Sequence, residues 1–554
     1  MATPIEFTLF APYNKAATLK GSFSDWEEIP MEKDDRGNFR TTVELEDGVY
    51  EYKYRVRSKS WFLDPDEWVE IIDTYATDIN DSQQNGVVRI KDGERIVDTY
   101  VWQHDDKWLP PNDELVVYEI HAADFCGGIG DSISRGSYKA LTEKLDYLAD
   151  LGINALELMP VNEHPGDKGW GYNVRHYFAT ESSYGSTAEL KHLIDECHAR
   201  GIRVILDGIY NHSEDKCPLL LIDRDYWYYH DRHYPDDADN YWGPEFNYDR
   251  YDENLDIKPA WEFIGDVVRF WVSEYHIDGI RYDALRQLAN RDFMKWIAQE
   301  ARNTAGPKPF YNIGENIPDD SSIAAGLDAP MNACWHESFR YHIVGHICGD
   351  TFDVEELKKA IDGKRDGYLA ATDAINYISN HDHPHVLAEL GDREILDDAA
   401  FQRAKLGAVL LMTAMGVPML WMGDEFGQAD HENPNAECDV QWSLLENDRN
   451  RNLWEFYRGL IALRKDNPAL HSSNIEFFHE NPEDKVLAYI RWNDEGTRLV
   501  VVANFSDNFL EGYEVTDCPH NGTWHEWTKD YDLEVQDNRL VVDLGEWEAQ
   551  VFVS

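Results

Sequence analysis

Acidic side chains stand at the ends of apolar runs along this chain. Asp207 lies near the end of the run 203–209 and is followed by Asn211 and His212. Arg281 and Asp283 close 279–283, Glu315 closes 310–316, Asn380, His381 and Asp382 close 374–382, and Asp424 and Glu425 close 417–425. One or two acids in such places arise by chance. Five acid-bearing ends are harder to dismiss, because a carboxylate taken out of water needs a partner. Carboxyl groups converging with histidines suit proton transfer and nucleophilic attack. Arg281 stands two residues before Asp283, so on an extended strand both side chains point the same way. Its fixed positive charge would keep Asp283 ionised.

These residues need a scaffold that brings strand ends together. From about residue 113 apolar strand candidates alternate with amphipathic helices. The strands are 116–121, 155–161, 203–209, 279–283, 310–316, 331–335, 374–382 and 417–425. Leu141, Leu145, Leu148 and Leu151 form one helical stripe, and Leu190, Leu193, Ile194 and Cys197 form another. Eight strands with intervening helices predict an α/β fold, a parallel (β/α)8 barrel over 113–472, with its site at the C-terminal strand ends. The stretch 213–255, rich in Asp, Tyr and Trp, reads as an insertion above the barrel. Residues 1–92 read as an N-terminal β-sandwich. Tyr50, Tyr52, Tyr54 and Val56 alternate there with Glu51, Lys53, Arg55 and Arg57. Residues 93–112 read as a linker, and 473–554 as a C-terminal β-sandwich.

Composition limits the partners. The 105 Asp and Glu against 51 Lys and Arg leave a net charge of −54, which opposes binding to nucleic acid or anionic lipid and leaves a neutral substrate open. No apolar run is long enough to span a membrane, and the N-terminus carries no secretion signal. The seven cysteines, Cys217 and Cys438 among them, are scattered, with no CxxC pair and no metal-ligand spacing. A reduced, cytoplasmic and monomeric protein is expected.

Six ordered blocks carry a family resemblance: GINALELMPV (152–161), DGIYNH (207–212), GIRYDAL (279–285), NIGEN (312–316), ISNHD (378–382) and GVPMLWMGDEFG (416–427). Asp283 and Glu315 are 32 residues apart and Glu315 and Asp382 are 67 apart, one and two strand-helix units. The chain resembles the α-amylase family of glycoside hydrolases and transglycosidases. The resemblance implies Asp283 as nucleophile, Glu315 as general acid and base, and Asp382 as the third carboxylate holding sugar hydroxyls. It implies substrate contacts from Tyr172, His212, His381 and Arg286, supported by Arg281 and Asp207. No cofactor is needed for the chemistry, although the resemblance allows calcium at Asn211. The stretch GSFSDW…GNFRTTVELEDGVYEYKYRV…SWFLDPD is similar to glycogen-binding modules, which implies glucan contacts from Trp26, Lys53 and Trp61.

Two groups of residues point to different reactions. ELMPVNEHPGDKGWGY and the N-terminal module look most like glycogen-branching enzymes. Asn380-His381-Asp382 is the form seen in α-amylases, where branching enzymes usually carry SHDE. The expected activity is retaining hydrolysis of α-1,4 bonds in glycogen- or starch-like glucans and maltooligosaccharides. The alternatives are a 1,4-α-glucan branching enzyme and a non-catalytic glucan-binding protein.

Overall fold

The computed structural model describes residues 2–554 apart from 81, 83, 127–135, 167–168, 235–240 and 432–438. Cys438 and the middle of the 213–255 insertion lie outside the described residues.

The barrel strands are β1 Val117–Ile120, β2 Ala155–Leu158, β3 Arg203–Gly208, β4 Gly279–Tyr282, β5 Tyr311–Gly314, β6 Ala333–Trp335, β7 Ala374–Asn376 and β8 Val417–Trp421. All pair in parallel in this order, and β1 closes on β8 with Val117 opposite Met419. Each expected strand is present. Inside, alternate residues such as Val117, Ala155, Ile205, Ile313, Trp335 and Met419 make one apolar cluster, as the period of two requires. Outside, the two leucine-type stripes are buried on helices Tyr138–Leu151 and Thr187–Ala199. The first starts where the Ser137 side chain accepts the Ala140 N–H and stops at left-handed Gly152. The second starts on a reciprocal Ser186–Glu189 capping box.

The N-terminal module packs two sheets. Thr3–Phe10 pairs antiparallel with Asn38–Leu45, and Gly48–Arg57 lies between Ala17–Gly21 and Asn85–Lys91. Of the expected apolar face, Tyr52, Tyr54 and Val56 are buried with Phe7, Leu19 and Phe39, while Tyr50 is half-buried. The sheet does not stop at residue 92. Glu94–Ile96 folds back on Asn85–Lys91 through Asp92 and Gly93, both with positive φ, the conformation of a two-residue hairpin turn. The rest of the expected linker, 97–112, is anchored to the barrel. Tyr100 Oη and the Gln103 N–H donate to Asp195 Oδ2 at 2.7 and 2.9 Å, and the His104 N–H donates to Oδ1 at 2.9 Å.

The module docks on the barrel through hydrogen bonds. Asn14 Nδ2 donates to the Ile222 carbonyl at 2.8 Å, Tyr13 Oη to Asp252 Oδ1 at 2.8 Å, and Tyr75 Oη to Asp266 Oδ2 at 2.9 Å. At the other end a six-stranded sheet and the pair Leu510–Val515 with Leu540–Leu544 enclose a separate apolar core around Trp524 and Phe552.

Candidate active site

The ends of β3, β4 and β5 converge on one guanidinium. Arg281, fully buried in β4, places Nη1 2.7 Å from both Asp207 oxygens and 3.0 Å from Asp283 Oδ1, and pairs Nη2 with Glu315 Oε2 at 3.0 Å. Its Cζ lies 4.3 Å from the Trp335 ring centre, so the cation is packed between carboxylates and an indole. Three carboxylates share one cation. Burial therefore pushes the Asp283 carboxyl well above the usual range against the pull of Arg281, and Glu315 and Asp207 add to the push. Arg281 was expected to keep Asp283 ionised; it does pull that way, but its guanidinium is divided among three partners and burial outweighs it.

The backbone after Asp283 is held out of the ordinary. The Asp283 N–H donates to the Gly208 carbonyl at 3.1 Å. Ala284 then turns left-handed, at φ 51°, and aims its N–H at Glu315 Oε2, 2.7 Å away. A non-glycine residue in that region stores strain, and such residues cluster at functional sites.

A second network descends from β7. His381 Nδ1 meets Glu119 Oε1 at 2.6 Å, and its Nε2 lies 2.8 Å from Tyr172 Oη and 3.3 Å from Asp382 Oδ2. Burial opposes protonation of His381, but Asp382 and Glu119 outweigh it and raise its pKa well above the ordinary value. Tyr172 stacks on this imidazole at 5.1 Å and donates its hydroxyl to Asp207 Oδ2 at 2.7 Å. His212 Nε2 lies 2.9 Å from the Tyr172 carbonyl, and burial lowers this imidazole to about 4, so it is neutral near pH 7.

A cleft of about 670 Å³ opens over these groups. Asp283, Glu315, Asp382, Tyr172, His212, His381 and Arg286 all line it, whereas Arg281 and Asp207 lie beneath its floor. Asp283 is 8% exposed, while the Asp382 side chain is 49% exposed. Arg286 reaches the rim, with Nη1 3.1 Å from the Ile317 carbonyl and Nε 3.2 Å from Tyr234 Oη. Trp170, Trp242, Trp335 and the Glu337–His383 pair, 3.0 Å apart, also line the cleft and were not anticipated. Glu119 was missed as well, although an acid inside the apolar run of β1 was its signal.

The other expected positions fall elsewhere. Asn211 is buried, with Nδ2 3.4 Å from His212 Nδ1. Among the described residues, the one group of three His, Cys, Asp or Glu side chains close enough to share a cation is Asp319, His336 and Asp366. Lys53 Nζ lies 5.9 Å from the Trp26 ring and 3.6 Å from Glu70. Trp61, 58% exposed, instead faces the barrel insertion, with its ring 5.3 Å from that of His230 and 5.7 Å from the Arg224 guanidinium.

Comparison with known proteins agrees with this layout. Residues 73–236 and 232–452 match the alpha amylase catalytic domain, residues 2–76 match carbohydrate-binding module 48 (isoamylase N-terminal domain), and residues 478–552 match the alpha amylase C-terminal all-beta domain. The chain is 26% identical to a malto-oligosyltrehalose trehalohydrolase of Saccharolobus solfataricus, over 83% of this chain and 85% of that one. It is 27% identical to a 1,4-alpha-glucan branching enzyme of Nitrosomonas eutropha, over 95% and 74%. Among solved structures, a Bacillus subtilis type I pullulanase complexed with maltose superposes with a TM-score of 0.83 at 22% identity, covering 100% of this chain and 84% of that one, which shows the shared fold. With a catalytic-domain match across most of its length, the chain belongs to the alpha-amylase family of enzymes.

Proposed function

We propose that the protein is a retaining glycoside hydrolase that cleaves α-1,4-glucosidic bonds in glycogen- or starch-like glucans and maltooligosaccharides. The observation that carries this reading is the pairing of Asp283 and Glu315 with the two terminal nitrogens of Arg281, under an aromatic-walled cleft. In the proposed reaction an Asp283 oxygen attacks the anomeric carbon while Glu315 gives its proton to the departing glycosidic oxygen. The C–O bond breaks and a covalent glucosyl ester forms. Glu315, now a carboxylate, takes a proton from water. The hydroxide oxygen bonds to the same carbon, and Asp283 leaves as a carboxylate. Asp382, half in solvent, is placed to accept sugar hydroxyls. The Tyr172 ring and the tryptophans supply faces for apolar sugar surfaces. Every proton in this scheme travels on a side chain or on water, and calcium, if bound at Asn211, would serve structure only. Trp26 with Lys53 is proposed as a glucan contact on the N-terminal module, with Trp61 a separate exposed ring. The six described cysteines are free thiols, which supports a reducing compartment such as the cytoplasm.

The branching reading keeps one specific support, the branching-enzyme relative that aligns over 95% of this chain. The two readings differ in what attacks the ester, water or a glucan hydroxyl. Incubation with amylose decides between them. Hydrolysis gives new reducing ends in step with chain shortening. New α-1,6 branches without reducing ends would overturn it. Release of maltotriose from pullulan would move the specificity to α-1,6 bonds, the linkage suggested by the pullulanase relatives.

A further inference from the structure

Behind the cleft wall, Asp319, His336 and Asp366 bring one potential ligand atom each within 4.8 Å of the others. Asp319 lies in the segment after β5, His336 directly follows β6, and Asp366 precedes β7. His336 is fully buried. The orientation of its ring is set from behind. Asn376 Nδ2 donates to the Met415 carbonyl at 3.1 Å, which turns Asn376 Oδ1 toward His336 Nδ1, 2.8 Å away. An amide oxygen only accepts, so Nδ1 carries the hydrogen and Nε2 is left to face the acids. Those acids are oriented too. Asp366 gives Oδ1 to Lys359 at 2.6 Å, and Asp319 gives Oδ1 to the Ser338 N–H at 3.1 Å. Each turns its Oδ2 inward, 3.3 and 3.9 Å from Nε2. Ser338 Oγ lies 2.9 Å from both Oδ2 atoms but has one proton to give.

Four electron-pair donors thus face one another, Ser338 Oγ 2.9 Å from both Oδ2 atoms and His336 Nε2 3.3 and 3.9 Å from them, with the His and Asp ligand atoms all within 4.8 Å of each other. Ligands bound about 2.0–2.2 Å from one ion sit roughly 2.8–3.6 Å apart in tetrahedral or octahedral arrangements. A histidine whose far nitrogen is held by an oxygen acceptor is the usual second-layer arrangement of a metal ligand. We infer that Asp319, His336, Asp366 and Ser338 form a binding site for one divalent transition-metal ion. Imidazole with carboxylates suits Zn²⁺ or Mn²⁺. The ion would tie the segment after β5, the end of β6 and the turn Gly363–Asp366 together, next to Ile317 and Pro318 on one side and Trp335 and Glu337 on the other, all of which line the cleft. This inference stands whichever glucan reaction the cleft performs.

The test uses the full chain, stripped with EDTA and dialysed free of it. Calorimetric titration with Zn²⁺ alone and with Mn²⁺ alone is expected to show one tight site per chain for at least one ion. That site is expected to vanish in Asp319→Asn and Asp366→Asn. In Asn376→Ala, which keeps every ligand, affinity is expected to fall about 10–100-fold. Circular dichroism checks that the variants fold. If none folds, Co²⁺ added to the stripped wild-type chain decides the matter through a visible absorption band that saturates at one equivalent. Absence of tight binding and of that band, or equal binding by folded Asp319→Asn, overturns the inference and leaves a histidine held among two acids by hydrogen bonds alone.

Discussion

Arg281 sets the behaviour of the site residue by residue. Among the described residues it is the one cation paired with Asp207, Asp283 and Glu315 together, so its replacement acts on all three. Arg281→Lys keeps the charge but cannot offer two nitrogens in a planar fork. A single ammonium cannot pair with all three acids, so the Asp283 carboxylate is less well compensated and harder to form, and the acid limb of kcat/KM is expected to move to higher pH, read from a pH–rate profile on a maltooligosaccharide. Asp283→Asn is expected to lower kcat by roughly 10³-fold or more at unchanged thermal stability, and wild-type turnover by that variant would refute the assignment. Glu315→Gln is expected to behave differently with the leaving group. Loss should be about 10²–10⁴-fold on glucans. It should be much smaller for glycosylation by a glucoside with a nitrophenolate leaving group, which departs without a proton. The acids at the strand ends were legible in the sequence because a carboxylate in an apolar run has few structural uses. The sharing of one guanidinium by three acids was not, since it depends on how β3, β4 and β5 lie side by side.

Among the elements, the turn after β8 shows how burial competes with hydrogen bonding. Glu425 accepts from Tyr118 Oη at 3.0 Å, Tyr147 Oη at 2.6 Å and the Gly423 N–H at 3.0 Å. Burial still wins and raises the carboxyl from 4.5 to about 7. The folded chain therefore holds this proton over a range in which the unfolded chain has lost it. The associated stability is present below about pH 4.5 and is lost as pH rises through about 7, to the extent of roughly 3 kcal/mol. Glu425→Gln is expected to flatten that part of the stability–pH curve, measured by urea denaturation between pH 4.5 and 8. The eight strands were readable as apolar runs, and the helices as stripes with caps. The hairpin at Asp92–Gly93 carried its own turn signal, yet the short strand after it, Glu94–Ile96, has only one apolar residue and no alternation to announce it. The position of Trp61 was hidden for another reason. Its neighbours Arg224 and His230 lie more than 160 residues along the chain, and only docking of the module brings them together.

For the whole molecule, the proposed glucan substrate would be decoupled from charge. A net −54 repels itself, and salt screens that repulsion over about 10 Å at 0.1 M. A neutral glucan has no charge for the field to steer. Raising NaCl from 0.05 to about 0.5 M is therefore expected to raise Tm while changing kcat/KM on maltooligosaccharides less than about twofold. Strong salt inhibition of glucan turnover would argue for a charged substrate instead. Mutual repulsion also favours a single chain in solution, which light scattering checks against 64.2 kDa.

The seam of the barrel has a further consequence, for the order in which the protein is made. Val117 pairs with Met419, so the first strand finds its last neighbour only after some 300 further residues have been synthesised. Until then β1 presents an open apolar edge, and the cleft, built from segments after β2 to β7, stands on an unclosed barrel. Contacts this distant in the chain slow folding and leave intermediates prone to aggregation. The N-terminal module, closed on its own sheets long before, emerges first and can cover part of the growing barrel through Asn14 and Tyr13 as soon as residues 222 and 252 appear. Biogenesis of this chain is thus a wait for its eighth strand, with the module acting as an early escort for the half-built barrel.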